Sequence, residues 1–439
     1  MADVSAMSLA IEGGWQAVED VRFEHMWDAK EVCHQDIRLD ILTEPAFQTM
    51  TGLGGAFSEI GYQALATLPA TKQDEIMQQL FGREGARFTF CRVPIGANDF
   101  ATDAYSLNDT PGDYEMKHFN LDRDRKSLIP FIQAALKINP DLRLHASAWS
   151  PPGWLKVNGQ MVGGGKLIEE PRVYAAYAKY LRMFVQAYAA EGITITRLVL
   201  QNEPECGKGY PTCTMPPEQM NALAVQYLAP ELKAAGLTTE IWAGTHTRLG
   251  GLYPFHALRD DAFAAVISGL GFQYELPEKM VDLVRVRPGL RMMHTESHCH
   301  MGLNRPVEAA ALYEDVWDFI TAGCDNFTYW NMILNETGQS GWGWRQNSLV
   351  VVDRAGGTFQ YGPDLDVMKL LSRAIAPLSR RLPTHCLHLR RVTAFARPDG
   401  KITAVLYNTA NAKKATFCID NRPPVEVQIP GQSLVTVEL

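Results

Sequence analysis

The chain has 439 residues, 46% hydrophobic and 21% charged, with 49 acidic against 41 basic side chains and a formal net charge of −8. Those proportions exclude a disordered chain, and the dispersed Lys and Arg form no basic stripe to neutralise a phosphate backbone, so nucleic acid is not an expected partner. The length exceeds one ordinary domain and suits an eight-stranded α/β barrel, which needs about 250 residues or more, with a smaller appendage.

The first residues, MADVSAMSLAIEGGWQAVED, have no basic start and no apolar run of signal-peptide length. No later segment approaches the roughly 20 apolar residues that span a bilayer, so the chain reads as a cytoplasmic protein without a membrane segment. Residues 1–50 hold strand-like pieces, among them 36–42, but are too short to bury a core alone. They are expected to complete a β domain formed elsewhere. From residue 53 onward, short apolar runs rich in β-branched and aromatic residues alternate with stretches of helical periodicity. The predicted strands are 54–58, 88–95, 142–149, 196–201, 239–245, 265–274, 290–295 and 326–331. Among the intervening helices, 172–191 is amphipathic, and 216–235 opens at Pro216 and Pro217 and stops at Gly236. Eight βα units predict a closed (β/α)8 TIM barrel over residues 51–378. From 379 to 439 the texture becomes short alternating strands (HLRRVTAFARPDG, KITAVLYNT, KATFCID, VEVQI, SLVTVEL), with Asp399-Gly400 as a hairpin turn, which predicts a small antiparallel β domain. Eight cysteines are scattered through the chain. Cys91, Cys324 and Cys418 sit in apolar runs, so reduced, buried thiols are expected; Cys206 and Cys213 flank a loop and would pair only in an exported protein.

Active sites of such barrels form at the C-terminal ends of the strands, so the residues that end each apolar run are the ones to read. The fourth strand ends in Gln201-Asn202-Glu203-Pro204-Glu205 and the seventh in Glu296, which puts two carboxylates at one mouth. Cleaving an acetal needs one group to protonate the departing oxygen and another to attack or stabilise an oxocarbenium-like centre, and paired carboxylates in unlike environments supply both. A lone Glu at a strand end is more often a cap or an ion-pair partner. These two are accompanied by Trp149-Ser150-Pro151-Pro152-Gly153-Trp154 after the third strand, Tyr329-Trp330-Asn331 at the eighth, and Trp342 and Trp344 in a Gly-rich loop. Aromatic faces stack on the C–H side of sugar rings, so several tryptophans at a polar mouth favour a carbohydrate substrate over a buried core.

These motifs together resemble glycoside hydrolase family 30, the group of glucosylceramidases, β-glucosidases, β-xylosidases and β-1,6-glucanases. The carriers run from about residue 52 to the C-terminus: Gly54-Gly55-Ala56-Phe57-Ser58-Glu59, Arg92-Val93-Pro94 with Asn98-Asp99-Phe100, the Trp149 to Trp154 motif with Lys156 and Asn158-Gly159, Gln201-Asn202-Glu203-Pro204, Thr295-Glu296 and Trp330-Asn331. The resemblance implies a barrel joined to a β-sandwich built from both chain ends, and a retaining β-glycosidase. In it Glu203 matches the acid/base, Glu296 the nucleophile, and Asn202 the contact to the 2-hydroxyl. Arg92 and Tyr274 match the groups that hold the nucleophile ionised and aligned. Trp149 and Trp330 match the walls of the −1 subsite, and Glu59 the position that grips distal hydroxyls. Two departures stand out. Glucosylceramidases have Asp where this chain has Glu59, and where the family often reads His-Trp-Tyr this chain reads Phe272-Gln273-Tyr274. The loop 338–347, which carries Trp342, is also idiosyncratic and should shape the substrate entrance.

Some alternatives remain open at this level. Asp99 reads equally as structural or as touching sugar, and Glu205 as structural. His294, His298, Cys299 and His300 cluster around Glu296, but their spacing fits no familiar ligand pairing, so neither a metal nor a cofactor is expected. The expected activity is exo-acting hydrolysis of small β-glycosides. An endo-acting β-1,6-glucanase-like enzyme is the main rival, and a non-catalytic carbohydrate-binding protein on the same scaffold a weaker one.

Overall fold

The computed structural model describes residues 6–10, 14–17, 36–386, 389 and 391–439. The first twenty residues therefore lie largely outside the described part, as do Cys33 and residues His388 and Arg390 of the first C-terminal strand stretch. Eight parallel strands follow one another in chain order around a barrel: Gly52–Ala56, Phe90–Ile95, Arg143–Ala148, Ile195–Val199, Glu240–His246, Gly269–Gln273, Met292–Glu296 and Asn326–Asn331. Each of the eight predicted runs overlaps one of these strands, the sixth, 265–274, opening in the last residues of the helix Asp261–Val266. The first starts and ends two residues early because Ser58 leaves the strand to cap the next helix, its hydroxyl accepting from the Gly61 amide at 3.1 Å. Its glycines have a packing cause: a Cβ on Gly54 would stand 2.1 Å from the Phe90 carbonyl oxygen, so only the smallest residue lets the first two strands meet.

Seven of the eight edges carry parallel backbone ladders. The eighth, between the seventh and eighth strands, is closed largely by side chains. Asp325 donates its amide to Met292 O at 2.9 Å, and the Asn326 amide group then takes the place of a ladder: its Oδ1 accepts from the His294 N–H at 3.0 Å and its Nδ2 donates to His294 O at 2.8 Å. One step further the Thr328 N–H donates to His294 Nδ1 at 3.1 Å, and the Trp330 N–H to Ser297 Oγ at 3.1 Å. Burial, with Arg92 nearby, holds His294 well below its usual pKa, and the neutral ring is what leaves Nδ1 free to accept.

The predicted helix 172–191 is Pro171–Ala190, with Pro171 in its first turn. The predicted helix 216–235 is Pro217–Ala222, a π-helical stretch Leu223–Leu228 and Ala229–Ala234, ending at Gly236 with φ +67°. The wider turns lie just before Pro230, whose missing N–H and ring would otherwise collide with the regular helical ladder. After the eighth strand the chain adds a small sheet, Ile333–Asn335, Val350–Asp353 and Thr358–Tyr361, which the periodicity did not indicate, before the helix Pro363–Ala374 that completes the eighth βα unit.

Both chain ends build the second domain. Its larger sheet has the order Arg380–Leu382, Val392–Ala396, Ile402–Asn408, Ser433–Glu438, Ala6–Ala10, Gly14–Ala17. The smaller sheet is Thr384–Cys386, Ile37–Ile41, Lys413–Ile419 and Val425–Ile429. Alternate residues of the two sheets, such as Leu39, Phe417, Val427, Ala404 and Val435, face one another in a separate apolar core. The chain is thus an α/β protein, a TIM barrel with an appended β-sandwich that is antiparallel except where the N-terminal strand Ile37–Ile41 lies parallel to Lys413–Ile419. Asp399-Gly400 turns the Val392–Ala396/Ile402–Asn408 hairpin as expected, with Gly400 at φ +86°. Among the described residues no helix is long and apolar enough to cross a membrane, and seven cysteines, Cys206 and Cys213 included, are free thiols.

Replacing Asn326 by Ala leaves the buried His294 N–H and C=O unpaired at the barrel seam. Urea unfolding should register a loss of about 2–4 kcal/mol; a loss below about 0.5 kcal/mol, the usual bound for a neutral surface change, would show that the seam does not depend on this side chain.

Candidate active site

The polar residues that close the barrel strands meet around one guanidinium. Arg92, on the second strand, is fully buried. Its Nη1 donates to Glu296 Oε2 at 2.7 Å and to Thr295 O at 3.1 Å, its Nη2 to Asn202 Oδ1 at 2.6 Å and its Nε to Ser147 Oγ at 3.2 Å. One side chain thereby ties the second strand to the third, fourth and seventh. The other oxygen of Glu296, Oε1, accepts from the Tyr274 hydroxyl at 2.6 Å. Burial raises the Glu296 pKa and Glu203 adds to the rise, while Arg92 and Tyr274 oppose it. The Asn202 amide is held from a second side, since Thr245 Oγ1 donates to its Oδ1 at 2.9 Å.

Glu203, only 3% exposed, has a different set of partners. Gln273 Nε2 donates to its Oε1 at 3.0 Å; the Tyr210 hydroxyl and the Lys208 ammonium reach its Oε2 at 3.0 and 3.3 Å. Burial works against the charge of Lys208, yet the neighbouring Glu203 raises its pKa, and burial with the same carboxylate pushes Tyr210 well up. None of these three donors was singled out from the sequence as a site residue. Gln273 left a trace, as a polar residue closing an apolar strand at a position where the resemblance departs. Lys208 and Tyr210 lie in the loop after the fourth strand, which has no periodicity to read. Glu203 and Tyr274 both have positive φ, +43° and +52°. For residues other than glycine such backbones cost about 1–3 kcal/mol each and collect at functional sites.

Trp149 and Trp330 stack on each other with centroids 5.4 Å apart and planes at 18°, and the Arg92 guanidinium lies 4.3 Å from the first ring and 5.5 Å from the second. Both rings are almost fully buried. Trp330 Nε1, Asn331 Oδ1 and Asn98 Nδ2 are buried without a hydrogen-bond partner among the described residues. Burial raises the Asp99 pKa well above its usual value and both Glu296 and Glu203 add to the rise, while Arg92 opposes it. The loop 338–347 lies across this side: the Gly341 N–H donates to Asp99 O at 3.2 Å, Trp342 next to it is half-buried, and the Trp344 ring sits 4.9 Å from that of Tyr210.

Glu59 is occupied differently. Arg123 grips its carboxylate with two bonds of 2.9 Å, and the Thr102 N–H adds a third at 2.9 Å. This pair lines a polar cavity of about 870 Å³ at the ends of the first two strands, with Asp103, Tyr105 and Asp122. Glu205 is buried against His246 Nδ1 at 2.7 Å. His294 is taken up by the seam, and the His298 ring packs on Tyr274 at 4.2 Å.

A barrel of this build, with paired carboxylates and aromatic walls at one mouth, belongs to the glycosyl hydrolases. The chain matches the glycosyl hydrolase family 30 TIM-barrel domain over residues 50–241 and the family 30 β-sandwich domain over residues 390–437. It is 29% identical to putative glucosylceramidase 3 of Caenorhabditis elegans over 92% of this chain and 82% of that protein. It is 36% identical to endo-1,6-beta-D-glucanase BGN16.3 of Trichoderma harzianum over 45% of this chain and 43% of that protein. The solved structure of SrfJ from Salmonella typhimurium superposes with a TM-score of 0.90 and 25% identity, covering 100% of this chain and 99% of that one. The chain is a member of glycosyl hydrolase family 30.

The Tyr274 hydroxyl favours the charged form of Glu296, so Tyr274→Phe should raise further the pH at which Glu296 ionises. If turnover needs Glu296 as an anion, the acid limb of kcat/KM against pH moves to higher pH, and an unmoved limb would separate Tyr274 from its control.

Proposed function

We propose that the protein is a retaining β-glycosidase that works by double displacement, with Glu296 as nucleophile and Glu203 as acid/base. What carries this reading is the unequal support of the two carboxylates. Glu296 is clamped by a guanidinium that does not give up its proton and by a phenol, an environment that keeps an attacking oxygen charged and aimed. Glu203 instead meets an amide, a phenol and a partly exposed ammonium, partners that yield as a proton passes to and from the departing oxygen. Asn202, fixed by Arg92 and Thr245, keeps its Nδ2 available for the 2-hydroxyl of the sugar, a contact that strengthens in the transition state. Trp149, Trp330 and the half-buried Trp342 would wall the sugar, and Asp99 and the unpaired Trp330 Nε1 and Asn331 Oδ1 would take its hydroxyls. Glu59, with Arg123, would act from the rim.

Exo action on small β-glycosides is supported by the depth of the carboxylates and by the loop 338–347 lying over Asp99. Endo action on a β-1,6-glucan is the second reading, favoured by the cavity beside Glu59, which has room for a further sugar unit. The free thiols support residence in a reducing compartment such as the cytoplasm.

A panel of aryl β-D-glycosides (glucoside, xyloside, fucoside, galactoside) set beside β-1,6-gluco-oligosaccharides should show one preferred aryl glycoside; cleavage of the oligosaccharides alone would favour endo action. Glu296→Ala should be inactive and recover turnover with azide, giving an inverted glycosyl azide; unchanged activity would remove the nucleophile assignment. Glu203→Ala should slow poor leaving groups by about 10²–10⁴-fold and activated aryl groups far less. Equal damage to both kinds of substrate would count against its role as acid/base.

A further inference from the structure

Glu203 takes two of its side-chain partners, Lys208 and Tyr210, from the segment 206–214, which has no helix and no strand beyond an isolated bridge from Pro211 to Val162. A second irregular piece, 161–165, holds that segment in place. The Thr212 N–H donates to Met161 O at 3.0 Å, the Gly163 N–H to Lys208 O at 2.9 Å and the Thr214 N–H to Gly165 O at 2.9 Å. Thr212 is fully buried, and its hydroxyl oxygen accepts from the Lys208 N–H at 3.1 Å and the Gly164 N–H at 3.0 Å. Where the two pieces cross, one side chain holds both carbonyls. Lys156, in the loop after the third strand and only 2% exposed, donates from Nζ to Thr212 O at 2.6 Å, to Met161 O at 3.1 Å and to Ser150 Oγ at 3.1 Å. An ammonium has three N–H donors, and here three different segments supply the three acceptors, all of them neutral. Burial lowers the Lys156 pKa to about 8, with Cys213 opposing.

We propose that Lys156 is a positioning residue for Glu203. Its ammonium fixes Thr212, Thr212 fixes the backbone of Lys208, and Lys208 and Tyr210 together hold Glu203 Oε2. The inference rests on Glu203 acting as acid/base. Taking an ammonium out of water is costly, and an apolar side chain packs two loops together without that penalty. What the ammonium adds is direction, because three bonds to three segments set the place of the third segment relative to the first. That first segment begins at Trp149 and Ser150, so the wall of the pocket and the support of the proton-transferring carboxylate share one frame.

Lys156→Met, similar in length, removes all three bonds, and the test compares phenyl and 2,4-dinitrophenyl β-glycosides of the preferred sugar with Glu203→Ala alongside. For the phenyl glycoside, whose departing oxygen needs a proton, kcat/KM should fall about tenfold or more. For the dinitrophenyl glycoside kcat/KM should stay within about twofold of wild type. Its kcat and KM should fall together, since the glycosyl-enzyme accumulates when water is poorly activated. Azide, which needs no base, should restore that kcat and give a glycosyl azide of retained configuration. Equal loss of kcat/KM with both leaving groups, the result of a merely structural role, overturns the proposal, as does no loss with either. Selective loss in Glu203→Ala without it in Lys156→Met would sink this inference alone; a Glu203→Ala variant that does not discriminate between the leaving groups would sink the acid/base reading with it. Should Lys156→Met fail to fold, Thr212→Val decides by the same ratio, since it deletes the hydroxyl that accepts from Lys208 and keeps the branched shape. A wild-type ratio there would show that the loop does not govern Glu203.

Discussion

A charge with no access to water organises the catalytic end of this barrel. Removing a guanidinium from solvent costs several kcal/mol, which is recovered only where its donors are met. Arg92 meets that condition by bonding to Ser147, Asn202, Thr295 and Glu296, and those four residues sit on or directly after three other strands. The strands must therefore stand in one relative register for the charge to be tolerated. The carboxylate of Glu296 and the amide of Asn202 are then both oriented by a group that is itself immobile. The two stacked tryptophans complete the arrangement by covering the Arg92 guanidinium.

The opposite face of the barrel shows the same physics with a different outcome. Arg197 is satisfied by Asp325 and flanked by the Phe90 and Trp242 rings, a closed structural arrangement. Arg143 feels the same Asp325 carboxylate together with that of Glu240, against the cost of its burial. Fold stability thus depends on matched buried charge at both ends of the barrel, while Trp330 Nε1 and Asn331 Oδ1 at the end that holds the two carboxylates have no hydrogen-bond partner among the described residues.

Much of the fold could be read from the chain because it is written in short-range patterns. Each barrel strand is a compact apolar run bounded by a polar end, and the sandwich strands alternate with period two, so both announce themselves locally. The small sheet around Val350–Asp353 did not, because its strands are three or four residues long and one is largely exposed. The π-helical stretch was invisible for another reason: periodicity over eighteen residues averages out one widened turn, although Pro230 was there to signal it.

Sequence alone determined the order of the strands, the two strand-end glutamates and the aromatic motifs, because the C-terminal end of a barrel strand is a position that a linear pattern can mark. Tertiary structure decided which side chains complete the site. Gln273 and Tyr210 come from different parts of the chain to meet Glu203, and the carboxylate of Glu59 is forked by Arg123, sixty-four positions away. Side-chain reach, competition among donors for one carboxylate and the closing of the seam through Asn326 are properties of the packed barrel. They depend on distances between residues far apart in the chain, which no local spacing encodes.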